Sequence, residues 1–315
     1  MWTKNWTMKE GFAIGAGLMA AGLMLQLTAG PVAWGTLRWP ANGIAMAVFL
    51  SIVTAVFMLR RRVYAFQFVG TLQAAVPALV YAVALTIVMG LTRQDTTPPT
   101  AAEWATGTQS PISNFQFSTS LSHMLSFWPF VLVYVYIALI LGTVTLRRIT
   151  MLACGVRLRH VTFVLSHLGL FLAMTTATLG NADVQRLKMI CVKGAPEWRA
   201  MDSRHTIVEM PFSIELKQFI METYDDGSPK RFASEIEIQS EGGKRTQATV
   251  DVNKPAEADG WKIYQYGYDT QMGPMSSFST LELVSDPWLP LVYTGIYMLL
   301  AGAAGMFLQG GRKRD

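Results

Sequence analysis

VTFVLSHLGLFLAMTTATL, residues 161–179, is the stretch on which the fold turns. It carries no Asp, Glu, Lys or Arg. Its length suits a helix crossing a hydrocarbon core of about 30 Å, which takes about 20 apolar residues. Five further runs share its character: Gly11–Ala29, Ala41–Leu59, Phe68–Leu91, Phe127–Leu146 and Trp288–Leu308. None contains a charged residue, and the third holds Gln73 and Pro77. Proline is tolerated in such a helix where neighbours satisfy the freed backbone.

The whole chain agrees with this reading. Over 315 residues it is 51% hydrophobic and only 15% charged, with a mean hydropathy of +0.30. Soluble domains carry about 25% charged residues, and disordered chains need low hydrophobicity with high charge. Two cysteines rule out a disulfide-stapled scaffold. Neither zinc-finger spacing nor C-x-x-C, H-E-x-x-H or C-x-x-C-H occurs, which argues against a protein-built zinc site or covalently attached haem.

Basic clusters orient the runs. Lys4 and Lys9 precede the first. Arg60, Arg61 and Arg62 follow the second. Arg147, Arg148, Arg157 and Arg159 lie between the fourth and fifth, and Arg312, Lys313 and Arg314 follow the sixth. Six crossings place all of them on one side, which the positive-inside rule assigns to the cytoplasm together with both termini. Trp34, Trp39, Trp128 and Trp288 fall where an interfacial aromatic belt belongs. Small residues near Ala29 leave one alternative open, a first run that is a cleaved signal segment. The expected fold is a multi-pass α-helical membrane protein, of about six transmembrane helices, with an extracytoplasmic antiparallel β domain. Helices one to four occupy 1–158, helix five 159–180, the β domain 181–286, and helix six with its basic tail 287–315.

Charge separates the β domain from the rest. Residues 181–286 carry 12 Lys and Arg against 17 Asp and Glu, a net of −5, and the remainder nets +10. The basic balance therefore marks topology rather than a nucleic-acid surface. Glu235-Ile236-Glu237-Ile238 and Ala248-Thr249-Val250-Asp251-Val252 alternate as half-buried strands, and Glu241-Gly242-Gly243-Lys244 between them predicts a hairpin turn. In Trp261–Tyr268, strict alternation puts Trp261, Ile263 and Gln265 on one face and Tyr264, Tyr266 and Tyr268 on the other. That tyrosine row reads first as packing, with partner binding as the alternative. Phe278–Val284 is the last strand. Gly11 and Gly15 in the first helix, and Gly302 and Gly305 in the sixth, favour close helix packing.

Several motifs resemble one family when taken as an ordered set. They are Pro211-Phe212-Ser213-Ile214-Glu215-Leu216-Lys217-Gln218-Phe219 followed by Glu222-Thr223-Tyr224, Phe232-Ala233-Ser234-Glu235-Ile236, Val252-Asn253-Lys254-Pro255, Gly260-Trp261 through Tyr268-Asp269, and Asp286-Pro287-Trp288-Leu289-Pro290-Leu291-Val292. The stretch from His160 to Gly310 resembles ResB-like proteins, also called CcsB, of System II cytochrome c biogenesis. The resemblance implies a subunit that works with a ResC/CcsA-type membrane partner to export haem and present it to apocytochrome c, in the cytoplasmic membrane. The chain departs from the family pattern in having six crossings where four are common and a short outer domain. It also lacks the partner's tryptophan-rich motif, so a separate partner chain is expected, along with membrane lipid and no nucleic acid.

His167 is the one ionisable side chain deep in an apolar run, about 12 Å in from Arg159 at 1.5 Å per residue. Such a residue is a functional-site hypothesis by default. With the resemblance it becomes a candidate axial ligand for haem b, transported or transiently bound. The alternative is an interhelical hydrogen bond. His123, before the fourth run, is a candidate for an outward haem position, and Arg186 with Lys188 for haem propionates. A solvated loop histidine and a plain ion pair are the competing readings. His160 reads as interfacial and His205 as surface. Helix rise separates His123 from His167 by about 15–20 Å along the membrane normal, so the two cannot serve one iron. Cys154 and Cys191 fall on opposite sides of the membrane, which forbids a disulfide between them. No catalytic acid or base is expected in this chain, at most an accessory subunit of a haem–cytochrome c synthase. Two other functions stay open: a non-catalytic scaffold binding apocytochrome or a redox enzyme, and a b-type cytochrome in quinol electron transfer.

Overall fold

The computed structural model describes residues 6–94, 123–153, 155, 158–226 and 228–310. Two compact units result: residues 183–287 form one, and the chain on either side of them forms the other.

The flanking unit is helical. Its elements are α1 (Met8–Ala29), α2 (Ala41–Leu59), α3 (Tyr64–Val69), α4 (Leu72–Leu91), α5 (Trp128–Ala153), α6 (Leu158–Gly180) and α7 (Leu289–Gly310). All but α3 are long and apolar enough to cross a membrane. A capping box starts α1: Lys9 N–H donates to Thr7 Oγ1, and Thr7 N–H donates to the Glu10 carboxylate. Cross-links sort the helix ends into two groups. Near one end Trp6 N–H donates to the Tyr64 hydroxyl, and Gln309 Nε2 donates to Thr162 Oγ1 at 3.2 Å. At the other, Trp128 Nε1 donates to the Gly30 carbonyl, Trp34 Nε1 to Leu125 and Asn42 Nδ2 to Leu179. Arg60, Arg61 and Arg147 line one cavity, which places the ends of α2 and α5 together.

Two of the expected runs are corrected. The third, read as Phe68–Leu91, is broken: Phe68 belongs to α3, and α4 begins at Leu72. Between them Gly70 and Thr71 leave helical geometry, and Thr71 Oγ1 donates to the Phe68 carbonyl. That local bond closes α3, an alternative that Thr offers the backbone and hydropathy does not register. The fourth run extends past Leu146 to Ala153, carrying Arg147 and Arg148 into the last turns of α5. Arginine is a good helix former, so charge ends the apolar stretch without ending the helix.

Small residues set the helix contacts. The face Thr162, Ser166, Gly169 and Ala173 of α6 meets Gly305, Gly302 and Gly295 of α7. A Cβ at Gly295 would lie 2.6 Å from Ala173 N and 2.7 Å from the Gly169 carbonyl. Gly11 of α1 abuts the Gln73 carbonyl and the Pro77 ring. Pro77 has no N–H to give to Gln73, so its presence in α4 frees the carbonyl that Gly11 approaches.

Residues 183–287 form one eight-stranded antiparallel sheet, in the order β5-β4-β3-β2-β1-β8-β7-β6. The strands are β1 (Gln185–Val192), β2 (Pro196–Met201), β3 (Ile207–Thr223), β4 (Pro229–Ser240), β5 (Arg245–Asp251), β6 (Ala256–Ala258), β7 (Trp261–Tyr268) and β8 (Phe278–Ser285). The expected hairpin is β4–β5, with Gly243 in a positive-φ conformation and its N–H donating to the Ser240 carbonyl. One face of the sheet is the core: Leu187, Met189, Ile214, Leu216, Ile236, Val250, Ile263 and Leu281 lie within it. Side chains of β4 meet those of β7 and β8 across this face, although β4 and β7 stand five places apart in the strand order. The sheet is therefore rolled onto itself.

Bulges correct the tyrosine row. In β7 the register shifts between Gln265 and Gly267, so Tyr268 pairs with Ser279 on the inner face. There its ring stacks between Phe219 and Phe232, with centroids 4.9 and 5.0 Å away. A matching shift in β3, between Leu216 and Gln218, turns Phe219 inward. Tyr266 stays outside, under the Lys188 ammonium at 3.8 Å. Tyr268 is thus half-buried on the inner face, and Tyr266 is exposed on the outer one.

Candidate functional site

His167 is the tenth residue of α6. Helical spacing gives α6 two working faces. Thr162, Ser166 and Gly169 meet α7, while Phe163, His167 and Leu170 line a cavity of 620 Å³. That size lies within the roughly 300–1,000 Å³ of small-molecule and cofactor sites. The opposing walls come from α4 through Leu72, Ala75 and Leu79, and from α5 through Ile137, Ile140, Leu141 and Val144. The break at Gly70–Thr71 forms another part of the lining. These walls are almost wholly apolar except where Arg147 and Arg148 enter.

The imidazole is held in one orientation. Its Nδ1 lies 3.0 Å from the Phe163 carbonyl oxygen. A carbonyl only accepts, so Nδ1 carries the proton, and neutral imidazole then has its lone pair on Nε2. Nε2 has no hydrogen-bond partner among the described residues. The ring also stacks on Phe163 at 3.7 Å, and the Arg148 guanidinium sits over the same phenyl at 4.6 Å. Tying down one ring nitrogen fixes the tautomer and aim of the other, as at metal-binding histidines generally.

A second cavity, of 1010 Å³, adjoins the first and shares Gly70, Arg147 and Met151 with it. Its lining differs in character: Arg60, Arg61, Arg147, Gln67, Thr143, Thr150 and His160 contribute polar groups. Nδ1 of His160 is buried with no hydrogen-bond partner. Among the described residues, none that lines either cavity is acidic.

The other candidate residues lie apart from this arrangement. His123 is half-buried at the start of the turn Met124–Ser126, its carbonyl accepting from Ser126 N–H, and lines neither cavity. Arg186 is exposed on β1 opposite Val284, in the sheet unit. Its companion Lys188 is engaged with Tyr266. Cys154 lies outside the described residues. Cys191 is fully buried in the sheet core, where burial, reinforced by Glu197, pushes its thiol up to about 12. Sequence reasoning singled out His167 and did not place Arg147 in the same cavity wall, or His160 in the wall of the second cavity. Arg147 was read only as a topology signal and His160 only as interfacial. The signal available was helical spacing, since Val144, Arg147 and Met151 follow i, i+3, i+7 on one face of α5.

An iron porphyrin fits the donor set of the first cavity: one imidazole with a free Nε2, apolar walls, and cations rather than carboxylates at the polar margin. Residues 143–277 match the ResB-like family. No curated protein matches the chain. Among solved structures, a cytochrome c heme lyase CcmF shares 12% identity at a TM-score of 0.36, over 96% of this chain and 46% of that one. The chain thus spans about half the length of that structure. The family match runs from within α5 to the residue before β8 and takes in the motifs at Pro211–Tyr224, Val252–Pro255 and Gly260–Asp269. From residue 143 to residue 277, this chain carries the sequence pattern of the ResB-like family.

Proposed function

We propose that this chain handles haem in cytochrome c biogenesis, as a membrane subunit acting with a ResC/CcsA-type partner and apocytochrome c. The single observation that carries the reading is His167, its Nδ1 tied to the Phe163 carbonyl and its Nε2 unpartnered, on the wall of an apolar cavity between α4, α5 and α6. Haem is the cargo, and its iron accepts an imidazole nitrogen.

In this reading His167 offers Nε2 to the iron, and Phe163 holds the ring against rotation. The apolar walls take the macrocycle and keep water from it. One deep imidazole supplies one axial position, so the opposite position is filled by another chain. With the arginine end in the cytoplasm, the sheet unit is extracytoplasmic, since the chain leaves α6 and enters α7 at the other end of the bundle. Antiparallel pairing of Gln185 with Ser285 brings the entry and exit of the sheet unit side by side, which suits a domain tethered to two packed helices. That domain would meet the apocytochrome.

Expression of the full chain with its partner, in cells whose own maturation genes are deleted, tests the reading. Haem-stained cytochrome c is expected to fall to background for His167→Ala while the chain's membrane level stays unchanged. Normal maturation by that variant contradicts the proposed role.

A further inference from the structure

The second cavity has an arrangement that the haem reading alone does not explain. Arg60, Arg61 and Arg147 converge on it from two helix ends, and the charges of Arg61 and Arg147 both act on Arg60. Arg60 is partly committed, donating to the Phe57 carbonyl and lying 3.7 Å over the Phe57 ring. Arg61 and Arg147 have no side-chain hydrogen bond or ion pair among the described residues, although six of the chain's carboxylates take part in the ion pairs of the sheet unit. Like charges gathered in a concave site without acidic neighbours repel one another and concentrate anions. His160 adds a buried ring nitrogen with no partner, and such a group ordinarily has one.

The two cavities share Gly70, Arg147 and Met151 in their walls. One is greasy and bears the aimed imidazole; the other is cationic. Together they match an amphiphile with a flat apolar body and two carboxylates along one edge. We infer that the vestibule lined by Arg60, Arg61, Arg147 and His160 receives the propionate carboxylates of haem and so selects a dicarboxylate porphyrin at the arginine end of the bundle. This rests on the proposed role of His167. It also moves the propionate contacts from Arg186 and Lys188 of the sheet unit to the arginines of α5 and the segment after α2. A guanidinium forks onto a carboxylate with two parallel N–H donors, a geometry Lys cannot copy. By the positive-inside rule this end faces the cytoplasm, so haem enters from the side where it is made.

The experiment compares haem with haem dimethyl ester, which keeps iron and macrocycle and loses both charges. The full chain with its partner, in phosphatidylcholine nanodiscs, is titrated with each ligand and read by its Soret band. Wild type is expected to bind haem about tenfold or more tighter than the ester, the scale of hydrogen bonds to charged groups. Arg147→Gln and Arg61→Gln are expected to lower haem affinity toward that of the ester and to leave ester affinity unchanged. Because the ester acts on the unaltered protein, a variant that fails to fold does not decide the result. Equal affinity of wild type for both ligands overturns the inference, as does a haem preference that survives both substitutions. His167→Ala separates the two claims. If it abolishes the ligated spectrum with either ligand while the arginine variants change nothing, only the vestibule assignment fails. If it leaves the spectrum intact, the reading of His167 itself fails.

Discussion

Cys191 illustrates what position does to a reactive side chain. It lies within the inner face of the rolled sheet, and burial first, Glu197 second, raises its thiol to about 12. The nucleophile is the thiolate, so almost none exists at neutral pH. Maleimide is expected to leave Cys191 unmodified in the native chain and to label it once the sheet unfolds, as read by mass spectrometry of the peptide containing it. A second residue-scale device is the polar cluster in the same core. Ser234 Oγ donates to Gln265 Oε1 at 2.7 Å, and Gln265 Nε2 donates to the Gly267 carbonyl at 3.0 Å. Gln265→Leu removes both bonds together with the one from Gln265 Nε2 to Ser279 Oγ, and leaves the Gly267 carbonyl only the longer bond from Ser279 Oγ at 3.3 Å. The expected cost is about 1–3 kcal/mol, measured by denaturant unfolding against wild type. His167 could be read from sequence because an imidazole in an uncharged run stands alone. The carbonyl that aims it is backbone, four residues away, and no side-chain pattern announces it.

At the scale of elements, the α6–α7 contact has no room for side chains. A methyl at Gly295 meets backbone atoms of Ala173 and Gly169, which cannot move independently of their helix. Gly295→Ala is expected to destabilise the helical unit by about 1–3 kcal/mol, as overpacking does. Gly17→Ala, where a Cβ meets open space, is expected to hold or raise stability, since Ala favours the helix. Thermal unfolding of the detergent-solubilised chain distinguishes the two substitutions, and equal behaviour would contradict the packing account. Element type was legible in the six long helices through hydropathy and in β4 and β5 through period-two alternation, whereas α3, β1, β2 and β6 were not read as elements. The break at Gly70–Thr71 was not, because it depends on a single hydroxyl bonded to the Phe68 carbonyl. The fate of Tyr268 was hidden for a related reason. A bulge adds one residue and reverses the facing of everything after it, and its place is set by the β8 partner rather than by β7 alone.

The whole molecule pairs an acidic sheet unit with a basic helical one, and the two should respond differently to acid. Glu197 is held below the usual carboxylate range chiefly by Arg199, Asp202 by the Thr206 N–H, and Asp226 by Ser228. A carboxyl that is more acidic folded than unfolded stabilises above its unfolded pKa of about 4, and that contribution disappears as pH falls through the folded value. The melting temperature of the sheet unit, followed within the full chain by tryptophan fluorescence, is therefore expected to fall as pH drops below about 4, and less steeply for Glu197→Gln. The division into bundle and sheet was plain from charge and hydropathy. The shared wall of the His167 cavity and the arginine vestibule was not, since these cavities bring together the end of α2, the α3–α4 break, α5 and α6, which lie far apart in sequence.

The most direct measurement of the central claim is chemical rescue at His167. Haem added to the His167→Gly chain with its partner is expected to give a five-coordinate spectrum that returns to the wild-type six-coordinate, low-spin form when free imidazole is supplied. A wild-type spectrum in the His167→Gly chain without imidazole would contradict the account.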